Sequence, residues 1–222
     1  MAENQNEEIN KEAMHDEIKT ISKTVLEKHL VGRKFDKSKV KKWGNLIIDE
    51  IHKIISDKYP EYGFCIVFYM SELTPYLSNE RKVCYKNFDT STFVYYFTDD
   101  FFSEIRILAT KKNGPMNNFF DIVSDNELSS AINKKISDHL EGRTYGHEIC
   151  FKVLENIVND INEILLARDN KTVSCHIGYI NKLPARDIYF YYKYFNFEIY
   201  PIFFNYKNDS LTCRVHLFLI NN

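Results

Sequence analysis

The sequence lacks the features that mark secreted, membrane-spanning or linker-rich chains. It has seven glycines and five prolines among 222 residues, which disfavours long flexible connections. No apolar run approaches the ~18 residues that a transmembrane helix needs. Its five cysteines are odd in number and not closely paired, so a disulfide framework is not indicated. The acidic, polar start of the chain has no apolar segment typical of a signal peptide. We therefore expect a cytoplasmic chain in a reducing compartment.

Charge and motifs also exclude several functional classes. The formal net charge is −2 and the lysines are dispersed, so the chain has no basic field for nucleic acid or membrane surfaces. There is no glycine-rich phosphate loop, zinc-protease motif or closely spaced cysteine pair. His147 and Cys150 could form half of a metal site, with Cys175 and His176 as the other half. Cys175 and His176 are neighbours in a predicted strand, however, so their side chains point to opposite faces and cannot easily bind one metal. We therefore predict no enzyme activity, no cofactor and no metal.

Aromatic residues are abundant, with 15 Tyr and 17 Phe, and they lie in short runs that favour strands. A stacking surface for nucleic acid is the alternative interpretation of the runs 93–97 and 189–197. Lys193 is the only basic residue within these two runs, which favours packed strands. The single tryptophan, Trp43, is interpreted as a core anchor rather than a ligand platform.

The chain repeats itself with an offset of 110 residues. The segment His29–Phe35 recurs as His139–Tyr145, so that Gly32 matches Gly142. Apolar positions continue to match at this offset down to the last strand-like run, 104–108 against 214–218. A constant register over about 90 residues is difficult to obtain by chance, and the sequence therefore predicts two copies of one module.

Each copy has the pattern of two helices followed by four strands. In the first copy, Met14, Ile18, Ile21 and Val25 form a helical stripe, and a second stripe runs from Val40 to Ile55. Strand-like runs follow at 62–70, 81–88, 92–97 and 101–109, with turn residues between them. The second copy has helical stripes at 128–140 and 149–164, and strands at 173–180, 188–195, 200–206 and 211–220.

These patterns predict an α+β fold made of two tandem modules, each with two helices and a four-stranded antiparallel sheet. The predicted domains are a disordered acidic leader at 1–13, a first domain at 14–112, a linker at 113–123 and a second domain at 124–222. A single module would leave its sheet edge and an apolar face uncovered. We therefore expect the two modules to pair within one chain as a pseudo-twofold internal dimer.

The first copy resembles the Tctex-type dynein light chains. The run Phe35–Trp43, with its Ser38-Lys39-Val40 and the tryptophan, is similar to the start of that family's second helix. The runs Phe64–Met70 and Val83–Asp89 resemble its first strand, its second strand and the following turn. The resemblance covers 18–110. The second copy departs from it, since Glu148-Ile149-Cys150 replaces Ser-Lys-Val and Val153 replaces the tryptophan.

The resemblance implies a non-catalytic dynein light chain or adaptor in the cytoplasm or the axoneme, associated with the cytoskeleton. Family members exchange a strand when they dimerise, and they bind an extended peptide of the dynein intermediate chain or of cargo. A scaffold protein with a Tctex-like fold that is unrelated to the motor is the alternative, and an enzyme with an unfamiliar site is a third class.

The peptide is expected to add to an exposed strand edge. The candidate contacts are alternate residues of the second strand of each copy: Arg81, Val83, Tyr85, Ile188, Phe190 and Tyr192. If strands are exchanged within the chain, 81–88 joins the second sheet and 188–195 joins the first.

An internal dimer predicts a monomeric particle. Because covalent linkage makes the pairing of the two modules intramolecular, the chain should not need a second copy to cover them. Size-exclusion chromatography with light scattering is expected to give the chain mass of 26.4 kDa. A stable particle of twice that mass would contradict the internal pairing.

Overall fold

The computed structural model describes residues 2–73, 79–86, 88–112, 126–168, 173–182, 189–195 and 198–221. Two helices and four strands are followed by the same series again, as predicted for an α+β fold of two modules. The first series comprises α1 (Ala2–Leu30), α2 (Lys37–Lys58), β1 (Tyr62–Glu72), β2 (Asn79–Lys86), β3 (Thr90–Phe97) and β4 (Phe101–Lys111). The second comprises α3 (Asn126–Leu140), α4 (His147–Arg168), β5 (Val173–Lys182), β6 (Tyr189–Phe195), β7 (Glu198–Lys207) and β8 (Leu211–Asn221).

The first helix buries the stripe that its spacing predicted. Met14, Ile18 and Val25 lie in the core of the first sheet, and Ile21 packs against it. The helix begins at Ala2, so it includes residues 2–13 of the segment for which the polar composition led us to expect a disordered leader. Ala, Glu and Lys are strong helix formers and no Gly or Pro interrupts them, so the helix can start N-terminal to Met14. The predicted linker, 113–123, lies outside the described residues.

The second helix starts at a capping residue. The Asp36 carboxylate accepts a hydrogen bond from the Ser38 amide at 3.0 Å, which satisfies one of the free N–H groups of the first turn. Lys39 and Ser38 lower the pKa of Asp36 to about 2. Trp43 is buried on the apolar face of this helix, which confirms its interpretation as a core anchor. None of the described helices combines the length and the apolar character that a membrane crossing requires.

The two sheets exchange one strand each. The strand order is β3-β4-β1-β6 in the first sheet and β2-β5-β8-β7 in the second. All pairings are antiparallel. Strand β2 therefore completes the sheet of the second series and β6 completes that of the first, as expected if the copies exchange strands. The strand bounds differ from the predicted ones by a few residues.

The registers show how closely the two sheets correspond. Cys65 pairs with Leu108 in the first sheet, and Cys175 pairs with Phe218 in the second, at the predicted offset of 110. The exchanged strands deviate by one residue. Cys65 faces Tyr194 and Cys175 faces Tyr85, so that β2 and β6 correspond at an offset of 109.

Contacts near the helix ends recur at the same offset of 110. Gly32 and Gly142 each have φ +69°, a left-handed conformation that glycine adopts without strain after a helix. His29 contacts Glu50 at 2.7 Å, and His139 contacts Asp160 at 3.1 Å. Both pairs tie the first helix of a series to the second helix.

The chain divides into two compact units that are not contiguous halves. Unit 1 comprises 1–75, 88–113 and 187–197, and unit 2 comprises 76–87, 114–186 and 198–222. These units differ from the contiguous domains 14–112 and 124–222 by the exchanged strands. Each unit has its own core, in which two helices cover one face of its sheet.

At one helix–strand contact, the two cores place the large and the small residue on opposite elements. In unit 1, Gly44 of α2 lies against Phe68 of β1, and an added Cβ would approach the Phe68 ring to 2.9 Å. In unit 2, the large residue is Leu154 on α4 and the glycine is Gly178 on β5, where a Cβ would meet the Leu154 side chain at 2.7 Å. These positions differ by 110 residues on both elements. The volume between helix and sheet has therefore moved from the strand to the helix.

This inversion predicts strong coupling between positions 154 and 178. Gly178→Phe should overpack unit 2 and lower the free energy of unfolding by about 1–3 kcal/mol or more. Leu154→Gly should leave a cavity and cost about 2–5 kcal/mol. The double variant restores the large-small pairing of unit 1 and should be more stable than the sum of the two losses predicts. Urea unfolding of the four proteins measures the coupling, and additive losses would contradict the inversion.

Candidate functional site

The exchanged strands lie at the ends of their sheets. Strand β6 is next to β1 at one end of the first sheet, and β2 is next to β5 at one end of the second. An edge strand uses only one side of its backbone for its sheet, so alternate N–H and C=O groups point away from it. An extended peptide can pair with such an edge. These two edges therefore offer main-chain groups for strand addition, as do β3 and β7 at the other ends of the sheets.

In unit 1, three side chains hold β6 against α2. A Cβ on Gly44 would lie 2.9 Å from the Tyr191 ring, so the glycine permits the close approach of strand and helix. The Lys193 ammonium contacts both carboxylate oxygens of Asp49 at 2.6 and 2.7 Å. The Phe195 ring stacks on His52, with ring centroids 3.4 Å apart and an interplanar angle of 8°. One face of β6 is thus fixed by the helix.

Burial sets the electrostatics of this contact. It lowers the pKa of His52, while the carboxylates of Asp49 and Asp57 partly oppose the shift. The neutral imidazole therefore stacks on Phe195 at physiological pH. On the same strand, burial raises the pKa of Tyr192, which keeps the phenol protonated.

The predicted contacts on β6 occupy the other set of alternate positions. Phe190 pairs with Tyr69 and Tyr192 pairs with Val67. Successive side chains of a strand point to opposite faces, so Tyr192 lies opposite to the face that α2 covers. Ile188 lies outside the described residues.

The predicted contacts on β2 lie within the ladder of the second sheet. Arg81, Val83 and Tyr85 pair with Tyr179, Ile177 and Cys175. At the 109-residue offset, Arg81 corresponds to Phe190 and Val83 to Tyr192. Two of the three predicted positions on each strand are therefore equivalent, whereas Tyr85 corresponds to Tyr194, which was not predicted.

Sequence reasoning missed the helix-facing side of the β6 edge. The contacts there come from Tyr191, Lys193 and Phe195, together with Asp49 and His52 of α2. The α2 stripe gave part of the signal, because Asp49 and His52 directly follow its buried isoleucines. What the stripe could not give is the partner, since β6 lies about 140 residues further along the chain.

Unit 2 has different residues at the corresponding helix positions. Asn159 takes the place of Asp49 and Asn162 that of His52. Leu154 stands where unit 1 has Gly44. The acidic group and the imidazole that contact β6 are thus replaced by uncharged amides on α4, so the two edges have flanking helices of different chemistry.

The His52–Phe195 stack predicts a pH dependence of stability. Because the pKa of His52 is lower in the folded chain, the unfolded chain binds the proton more tightly, and stability falls as the pH drops below about 6.5. His52→Phe retains a ring at this position and removes the titration. Urea unfolding at pH 7.5 and pH 5 should show a larger loss for the natural chain than for the variant. Equal losses would mean that His52 makes no contribution.

Comparison with known proteins covers the first series of elements. Residues 12–108 match the model of the Tctex-1 family. The matched segment begins in α1 and ends in β4, and it includes the capped start of α2 and the exchanged strand β2. No curated protein matches the chain. The match includes the run Phe35–Trp43, so the resemblance of this part of the chain to the Tctex-1 family is confirmed.

Proposed function

We propose that the chain is a non-catalytic dynein light chain or adaptor that binds an extended peptide of the dynein intermediate chain or of cargo by strand addition. The family supports a light-chain role in a dynein complex of the cytoskeleton. The observation that carries the proposal is the position of the exchanged strands, which lie at sheet edges beside a helix. We further propose that the chain acts as a monomer, because its two modules pair with each other within the chain.

Edge geometry favours an extended peptide over other ligands. Main-chain hydrogen bonds along β6 or β2 would provide affinity, and alternate side chains would provide selectivity. On β6, the candidate side-chain contacts are Phe190 and Tyr192, and on β2 they are Arg81, Val83 and Tyr85. The ladder with β1 and the contacts with α2 order β6, so little strand ordering remains to oppose binding.

A scaffold role outside the motor is the second candidate. The family match ends at residue 108, and α4 carries Asn159 and Asn162 where α2 carries Asp49 and His52. One edge could therefore have lost the peptide that the family binds. A scaffold of this kind would not associate with microtubules or axonemes.

Backbone methylation of the peptide tests strand addition directly. Dynein intermediate-chain peptides should bind the intact chain in a fluorescence anisotropy titration. Peptides N-methylated at alternate residues form two series, and only one series places its methyl groups on hydrogen bonds to the edge. That series should bind roughly tenfold to hundredfold more weakly because two or more hydrogen bonds are lost.

The outcomes separate the two candidates. Binding with an alternating methylation pattern supports the light-chain function. Binding that is equally sensitive to both series would contradict strand addition. If no intermediate-chain peptide binds and pull-downs with the intact chain recover no motor component, the scaffold interpretation replaces the light-chain function.

A further inference from the structure

A strip of exposed aromatic side chains runs along β3, at the other end of the unit 1 sheet. Phe93, Tyr95 and Phe97 are 45%, 47% and 66% exposed, and they define the aromatic strip. The residues between them face the opposite way, since Val94 lies in the core and Tyr96 packs against it. The strip is thus one face of an edge strand, and its other face is covered by α1.

The rings of the strip contact each other rather than extending separately into solvent. The Phe93 and Tyr95 centroids are 5.5 Å apart, and Phe97 lies 4.8 Å from the Phe102 ring on β4. The Arg106 guanidinium lies 5.3 Å from the Phe93 centroid and is held by an ion pair with Glu104. The rings of the aromatic strip therefore pack on one another and on β4. A continuous exposed apolar patch of this kind typically marks an interaction surface.

The spacing of the strip selects the shape of the partner. Its side chains recur at every second residue along an edge strand, which also offers outward main-chain groups. An extended segment matches both features, because its own side chains alternate with the same period. A helix would match neither the spacing nor the main-chain groups.

The fold itself does not require the strip. On β7, the strand of unit 2 that corresponds to β3, Phe203 remains exposed, but Asn205 and Lys207 replace Tyr95 and Phe97. These two positions are exposed in both units. Unit 2 forms the same sheet with polar residues there, so folding alone does not account for the aromatic side chains of unit 1.

Charge defines the direction of the partner. The turn after β3 carries Asp99 and Asp100, and Glu72 lies beside it because the Leu73 amide donates a hydrogen bond to the Asp100 carbonyl at 2.8 Å. All three carboxylates are exposed. An antiparallel segment would place its N-terminal end at this turn, so basic residues at that end would be complementary.

We infer that β3 is a further docking edge, which binds an extended segment of another protein with alternating apolar side chains and basic residues at its N-terminal end. The segment pairs antiparallel with β3, covers the aromatic strip and places its positive charge beside the acidic turn. Strands β3 and β6 lie at opposite ends of the unit 1 sheet, so β3 can be occupied whether or not β6 binds a peptide.

A phage-displayed library tests this inference. Its nine-residue peptides carry Lys or Arg at the first two positions, apolar residues at alternate positions and any residue between them. Selection uses the intact chain, and enriched peptides are titrated by fluorescence anisotropy. The double variant Tyr95→Asn/Phe97→Lys, which reproduces unit 2, should bind them roughly tenfold more weakly or worse. The control is Val31→Ser, which removes a side chain that is also 66% exposed and should leave binding unchanged.

Two more measurements distinguish binding at β3 from binding elsewhere on the chain. Moving the basic pair to the C-terminal end of an enriched peptide should weaken binding, and intermediate-chain peptides should not compete. The inference is overturned if no peptide is enriched, or if enriched peptides bind the double variant as well as the natural chain. It is also overturned if the strip instead joins two copies of the chain. In that case the particle mass would double as the concentration rises, and it would do so for the natural chain but not for the double variant.

Discussion

The main-chain ladder between each exchanged strand and its host sheet is the constraint on which the rest of the structure depends. Strand β6 pairs with β1 from Phe64↔Phe195 to Met70↔Tyr189, and β2 pairs with β5 over a similar length. Backbone groups inside a sheet need partners, and these ladders supply them for β1 and β5. The ladders also place β2 and β6 at sheet edges, where the proposed peptide binding takes place.

The two units keep one architecture while their cores and surfaces diverge. Gly44 against Phe68 and Leu154 against Gly178 fill the same space in opposite ways. The capping Asp36 corresponds to Gly146, which also tolerates the start of a helix. Such changes preserve packing. The differences between the units at Tyr95 and Phe97, and at Asn159 and Asn162, instead alter side chains that are exposed or partly exposed. Similar folds can therefore carry different partners on their edges.

Much of the fold could be predicted because it follows from local periodicity. The stripe from Met14 to Val25 and the aromatic runs define helices and strands, and the repeat offset relates the two series. The start of α1 was not predicted because the polar composition of the first residues was interpreted as disorder, although Ala, Glu and Lys also favour a helix. The one-residue deviation of the exchanged strands was missed because apolar matching is weak where aromatic residues occupy both faces of a strand.

The candidate site was less predictable than the fold. Alternation along β6 indicates two faces but not which one a distant helix covers, so Phe190 and Tyr192 were selected while Tyr191 and Lys193 were not. The Lys193–Asp49 contact joins residues 144 positions apart, and no local pattern encodes it. Only the pairing of β6 with β1 brings these groups together.

Strand exchange has a genetic consequence. Residues 79–86 are translated with the first half but complete the sheet of unit 2, and 189–195 do the reverse. A damaging substitution in β2 therefore destabilises unit 2, and one in β6 destabilises unit 1. Neither half can therefore be deleted, shuffled or replaced by a foreign domain on its own, and substitutions in one half are constrained by the sequence of the other.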